Sequence, residues 1–173
     1  MVKYITKPAN LGSYLAGLWE GDGHIWVPTT TNAPSGKNYT PHFAITFAEV
    51  DLPLVVQLQI LIGGTIRHKV ENNAYVLTIT SKTGLTKVIG LINGHLRTPK
   101  IEQFNAMINW INKYPHFSCC AQQEKRKVGD CSSSSSIPTQ TVDNSEIHGN
   151  AWLAGFIDAE GSFDILLRLV QVQ

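Results

Sequence analysis

Two short stretches of this sequence repeat each other and carry acids at the same place. Leu15-Ala16-Gly17-Leu18-Trp19-Glu20-Gly21-Asp22-Gly23 returns 138 residues later as Leu153-Ala154-Gly155-Phe156-Ile157-Asp158-Ala159-Glu160-Gly161. Four of the nine positions are identical and the other five keep their chemical class. An aromatic residue precedes each copy, Tyr14 in one and Trp152 in the other. On a helix, Gly17 and Gly21 share a face, as do Gly155 and Ala159, and Ala16 and Ala154 widen that surface. A stripe without bulk lets two helix backbones approach closely. Paired in parallel, the copies bring Asp22 and Glu160 to one C-terminal end, where the helix dipole disfavours a carboxylate. Two acids meeting there call for a cation, and a hard divalent ion such as Mg2+ suits carboxylates and nearby carbonyls. Such a centre can activate water and offset phosphate charge in phosphodiester hydrolysis. The competing reading is a packed helix pair with solvated acids at its ends. For one copy that reading is preferred; two copies with acids in the same place favour the metal.

Other residues of reactive type are set aside. Glu20 and Asp158 lie two residues before the paired acids, so on a helix they point elsewhere and are assigned to capping, a packing edge or solvent. Cys119, Cys120, Cys131, His116 and His148 show no CxxC or HxxxH spacing and are not read as a zinc site.

The elements that must position the acids follow from local signals. Ser13 is placed to cap a helix running to about Glu20, ended by Gly21 and Gly23. Residues 24–27 read as a strand and 42–47 as its partner, joined across the Thr/Pro/Gly/Asn-rich stretch 28–41. Residues 52–62 read as a helix stopped by Gly63-Gly64. Residues 65–70 and 74–80 form a second hairpin around Asn72-Asn73, followed by helices at about 85–92 and 100–114. The order is αββαββα with the last helical region split in two, an α+β domain spanning about 11–114. Residues 115–149, rich in Ser and Gln, read as a flexible linker. Residues 150–173 restart the motif, and the last twelve residues can supply a single strand.

Strand alternation sorts the side chains. Ile25, Val27, Phe43, Ile45 and Phe47 face the helices, which leaves His24, Trp26, His42 and Thr46 outward. In the second hairpin Thr65, Arg67 and Lys69 alternate outward from Ile66 and Val70, with Thr78 and Thr80 as neighbours. A two-stranded ribbon fits the major groove, where Arg and Lys read guanine and Thr meets a thymine methyl or a polar edge. A solvated sheet face is the plainer alternative for any one of these residues.

Composition narrows the class. The chain has 173 residues, 43% of them apolar and 16% charged, so it can bury a core. No apolar run reaches the roughly 18 residues of a membrane span, and no membrane partner is expected. The N-terminus lacks the apolar region of a secretory signal, and three cysteines, two adjacent, are a poor disulfide framework. The net charge of +1 hides an asymmetry. Residues 1–127 hold 13 Lys+Arg against 7 Asp+Glu, or +6, whereas 128–173 hold one Arg against 6 acids, or −5. The basic part has the sign that a polyanion requires.

At the repeated nonapeptides the sequence resembles the LAGLIDADG homing endonucleases, whose name is the nonapeptide itself. Tyr14 to Ile25 resembles the opening of double-motif members encoded in organellar introns. Asn93-Gly94-His95-Leu96-Arg97-Thr98-Pro99-Lys100 resembles that group's segment after the first sheet, and Trp152 to Phe163 the start of its second half. The resemblance implies a saddle-shaped binder of double-stranded DNA, with Mg2+ as cofactor and a mitochondrial (organellar) residence. It assigns Asp22 and Glu160 to the two scissile phosphates, backbone carbonyls of Gly21 and Ala159 to the metal sites, and Lys100 to water positioning or charge stabilisation. Thr46 stands where the family has a supporting polar residue. Family members with two motifs carry a second four-stranded sheet with its covering helices, well over a hundred further residues, so the chain reads as truncated in its second half. Dimerisation through the first motif helix, or completion by a second-half fragment, are the other ways to build the saddle. The resemblance admits two other functions, an RNA-binding maturase acting on the host intron and a non-catalytic remnant.

Overall fold

A computed structural model describes residues 8–30, 39–114 and 136–161. The expected loop tip, the first half of the linker with its three cysteines and His116, and the strand expected after the second motif lie outside the described residues.

Helix α1 (Pro8–Asp22) begins five residues before Ser13. Proline suits this first turn because its missing N–H has no helical partner there. Ser13 is therefore inside the helix and not its cap. Its hydroxyl donates to the Asn10 carbonyl at 3.2 Å and accepts from the Ala151 N–H at 3.1 Å. The same short hydroxyl that can cap a helix can also bond back to the preceding turn. Helix α1 then passes without an intervening residue into β1 (Gly23–Trp26).

Strand β2 (His42–Ala48) pairs with β1, helix α2 (Leu52–Ile62) follows, and β3 (Thr65–Lys69) and β4 (Ala74–Ile79) form the second hairpin. All pairings are antiparallel and the sheet order is β1-β2-β4-β3. Helix α3 (Lys82–Ile92) starts three residues earlier than expected because Ser81 caps it, accepting the Gly84 N–H at 3.2 Å. Helix α4 (Ile101–Lys113) and helix α5 (Trp152–Glu160) are the remaining α-helices among the described residues. Among the described residues no helix is long and apolar enough to cross a membrane.

The helices cover one face of the sheet. Phe43, Ile45, Leu77 and Ile79 meet Leu15 and Trp19 of α1, Leu58 of α2, Val88 of α3 and Phe104 of α4 in one buried cluster. Trp19 stacks on Phe43 with centroids 5.6 Å apart and tilts against Phe104 at 6.1 Å. Ile25 and Val27 pack at the edge of this core. Val70, expected inward, is 72% exposed. The strand gives way there to a single 3-10 turn at Val70–Asn72, which ends the alternation.

Residues 136–149, expected to be flexible, are pinned to the domain. The Asn112 side chain donates to the Ile137 carbonyl at 2.8 Å and accepts its N–H at 2.9 Å. Asn105 and Asn93 donate to the carbonyls of Gln140 and Pro138, each at 3.1 Å. The Asp143 N–H donates to the Leu96 carbonyl at 2.7 Å, and the Asp143 carboxylate meets Arg97 at 2.9 Å. Ile137 and Val142 pack on the core. This strap delivers α5 to the flank of α1.

Candidate functional site

Helices α1 and α5 lie side by side in parallel, and glycine sets how close they come. A Cβ on Gly17 would overlap the Trp152 carbonyl oxygen, and one on Gly155 would overlap the Tyr14 carbonyl oxygen. One turn further on, a Cβ on Gly21 would run into the Ala159 methyl and stand 3.1 Å from Glu160 Cγ. Gly17, Gly21, Gly155 and Ala159 thus mark the contact. Ala16 is fully buried in the core, whereas Ala154, expected at the contact, is exposed. One residue is about 100° of helix, so with Gly155 facing α1 its predecessor is turned away.

The pair carries two cross-helix hydrogen bonds that mirror each other. The Tyr14 hydroxyl donates to the Asp158 carboxylate at 2.8 Å, and the Trp152 indole N–H donates to the Glu20 carboxylate at 2.5 Å. Burial first, and Asp158 second, raise the Tyr14 hydroxyl well above the usual phenol range. Glu20 is only 3% exposed. It also accepts the backbone N–H groups of Arg97 and Thr98 and the Thr98 hydroxyl, the last two at 2.6 Å. Glu20 and Asp158 are the residues that spacing alone sent to the edge or to solvent. The signal that finds them is the repeated aromatic before each motif, which supplies the donor in both copies.

The pair ends on Asp22 and Glu160. Burial first, and the Glu160 carboxylate second, raise the Asp22 carboxyl above its ordinary range, while Lys100 pulls it down. The Lys100 ammonium donates to the Gly21 carbonyl at 2.6 Å and to the Gly23 carbonyl at 3.2 Å. A cleft of about 290 Å³ opens beside Asp22, lined also by Thr46, Phe47, Asp51, Leu54, Asp158 and Ala159. Two facing carboxylates and adjacent carbonyls are hard oxygen donors of the kind a divalent ion takes. Among the described residues no three His, Cys, Asp or Glu side chains cluster for a metal. What the described residues offer such an ion is the two carboxylates and the Gly21 carbonyl. Lys100 and an ion would share the Gly21 carbonyl, which has two lone pairs.

The outer sheet face holds the other candidates. Trp26 pairs with His42 across β1 and β2, and the rings stack at 5.1 Å; Tyr39 sets its edge against Trp26 at 5.7 Å. His24 lies 6.2 Å from His42, and burial first, then His24, hold His42 below the usual imidazole range. Further along, Thr78 pairs with Thr65 on one side and Ala44 on the other, while Val76 pairs with Arg67 and Thr46. Lys69 faces Ala74 at the far edge. Thr80 lies just past β4 and is exposed. Thr46 also reaches the cleft beside Asp22. The face is thus aromatic at one end and basic at the other, with Ala44 and Val76 between.

A family model of the LAGLIDADG endonucleases fits residues 15–118. The chain is 35% identical over 158 residues to the intron-encoded DNA endonuclease aI3 of Saccharomyces cerevisiae, covering 91% of this chain and 36% of that protein. It is 27% identical over 163 residues to the intron-encoded RNA maturase bI4 of the same yeast, covering 92% of this chain and 20% of that one. The chain therefore spans well under half the length of either relative. Its fold is similar to the I-SmaMI LAGLIDADG homing endonuclease bound to cleaved DNA, with a TM-score of 0.58 at 20% identity over 92% of this chain and 60% of that one.

Proposed function

The chain belongs to the LAGLIDADG endonuclease family, and from that membership we propose that it is a Mg2+-dependent, sequence-specific DNA endonuclease of intron-homing type. The observation that carries the reading is the meeting of Asp22 and Glu160, far apart in sequence, at one end of a glycine-packed helix pair. Lys100 stands at the same end. In this reading residues 11–114 form the first domain, 115–149 its connection, and 150–173 the start of a second domain. Mitochondrial residence goes with kinship to intron-encoded yeast proteins.

Asp22 and Glu160 would hold the ion together with the carbonyls of Gly21 and Ala159. When bound, a divalent ion supplies an activated water and a positive charge against the phosphate. The residues of the chain do the rest. Lys100 places its ammonium where negative charge collects, and that charge is worth most in a site shielded from bulk water. His24, Trp26, His42, Thr46, Thr65, Arg67, Lys69, Thr78 and Thr80 present the outer face to the major groove. Phosphate contacts from such a face set register, and base-edge contacts set sequence.

The test is the purified chain against a library of duplexes with Mg2+, beside Asp22→Asn and Glu160→Gln. Cleavage lost in both variants supports the reading, with an expected fall of at least about 100-fold for each. Cutting that survives both substitutions refutes it. Nicking that depends on Asp22 alone means that only one of the two strands is served. The similarity to an RNA maturase favours a second reading, assistance to the folding of a host intron. Intron RNA binding that persists in Asp22→Asn, without DNA cleavage by the unmodified chain, would select it over the first.

A further inference from the structure

We propose that Glu20 and Trp152 are positioning residues, which hold the Lys100 ammonium on the Gly21 carbonyl only while α5 is docked on α1. The role of Lys100 in catalysis rests on the endonuclease reading; its positioning does not.

The path is a chain of hydrogen bonds that starts on α5 and returns to α1 beside Glu20. The Trp152 indole N–H, from α5, donates to one oxygen of the buried Glu20 carboxylate at 2.5 Å. The other oxygen takes the Thr98 N–H and the Thr98 hydroxyl, both at 2.6 Å. The Thr98 hydroxyl oxygen accepts the Lys100 N–H at 3.3 Å, and Lys100 returns its ammonium to Gly21, the residue after Glu20. The Arg97 guanidinium lies 5.7 Å over the Trp152 ring and is tied to Asp143 and Ser145 of the strap. One carboxylate therefore holds α1, the turn before α4, and α5 at a single point.

This arrangement exceeds what packing requires. A buried carboxylate needs its lone pairs filled, since an unsatisfied one costs more than the bonds themselves contribute. Here the donors come from α5, which carries Glu160, and from the turn before α4, which carries Lys100. If α5 leaves, Glu20 loses the indole donor and opens to water, and the grip on the Thr98 turn weakens. The mirror-image bond from Tyr14 to Asp158 joins the same helices but shares no residue with the path from Trp152 through Glu20 and Thr98 to Lys100. It provides an internal control.

Amine footprinting by reductive methylation, read by peptide mass spectrometry on the full chain, tests the proposal without metal or DNA. Lys87, exposed on α3, is the reference. Lys100 is expected to react more slowly than Lys87. Trp152→Phe keeps an aromatic ring but loses the indole N–H together with the five-membered ring that carries it; it should speed Lys100 by roughly tenfold, the factor for one hydrogen bond to a charged group. Lys87 should not change. Thr98→Val, which removes a single hydroxyl, should act in the same direction and decides the matter should Trp152→Phe fail to fold in a thermal melt. Tyr14→Phe should leave Lys100 protected. An unchanged Lys100 rate in Trp152→Phe and Thr98→Val overturns the proposal, as does equal exposure of Lys100 by Tyr14→Phe, which would mean simple loosening of the helix pair. A protected, Trp152-dependent Lys100 in a chain that cuts no duplex upholds the positioning and refutes the endonuclease reading instead.

Discussion

Asp22 sits where a carboxylate is electrostatically least welcome, at a helix C-terminus and beside a second acid. Its raised pKa has a consequence for stability with a definite sign. Between the ordinary carboxylate pKa and the raised one, the folded chain binds more protons than the unfolded chain. Stability therefore falls as pH rises through that window and stays low above it. In metal-free buffer Asp22→Asn should melt about 1–3 °C higher than the unmodified chain at pH 7, with the side chain's exposure keeping the gain small. The difference should shrink toward zero as the pH is lowered below the carboxylate range. A thermal melt series across pH checks both statements. Added Mg2+ should narrow the gap at pH 7 by stabilising only the chain that keeps both acids. At this scale the nearness of the two acids is legible in the sequence, because a repeat displays them twice. The sequence was a poor guide to Glu20, whose burial depends on donors supplied by residues 97, 98 and 152. No local spacing contains that information.

Elements whose ends carry strong punctuation were legible from the sequence. Helix α2 has the expected bounds, with Pro53 in its first turn and Gly63 and Gly64 at positive φ of 83° and 106° after its last residue. The start of α1 was not, because Ser13 serves the middle of the helix with the chemistry of a cap. The strap was not, because a Ser-rich composition says nothing of the asparagines on α4 and just past α3 that catch its carbonyls. Two predictions belong to this scale. Gly17→Val places a branched side chain against the Trp152 carbonyl and should cost about 1–3 kcal/mol. Hydrogen exchange should show the α5 amides opening while those between β2 and β4 stay protected. Asn112→Ala removes both bonds to Ile137 and should cost about 1–3 kcal/mol in a denaturant titration, with cleavage by a protease gained between 136 and 149.

Across the described residues, the outer sheet face and the acid pair are joined directly, α1 running straight into β1. Arg67 and Lys69 at the basic end of the sheet are exposed and stand apart from the core. Under the proposed function, replacing either by Ala should reduce the slope of log K against log salt by about one, which a binding series from low to moderate salt measures. The joint between face and site is a single peptide bond, since Asp22 ends α1 and Gly23 opens β1. Under the proposed function no loop separates what holds from what cuts, and the two resemble the jaws of a caliper soldered at one setting. One residue inserted at that joint would turn His24 and Trp26 toward the helices, because strand side chains alternate with a period of two. In that reading, adaptation to a new target must exchange side chains along the sheet and leave the offset between grip and cut untouched.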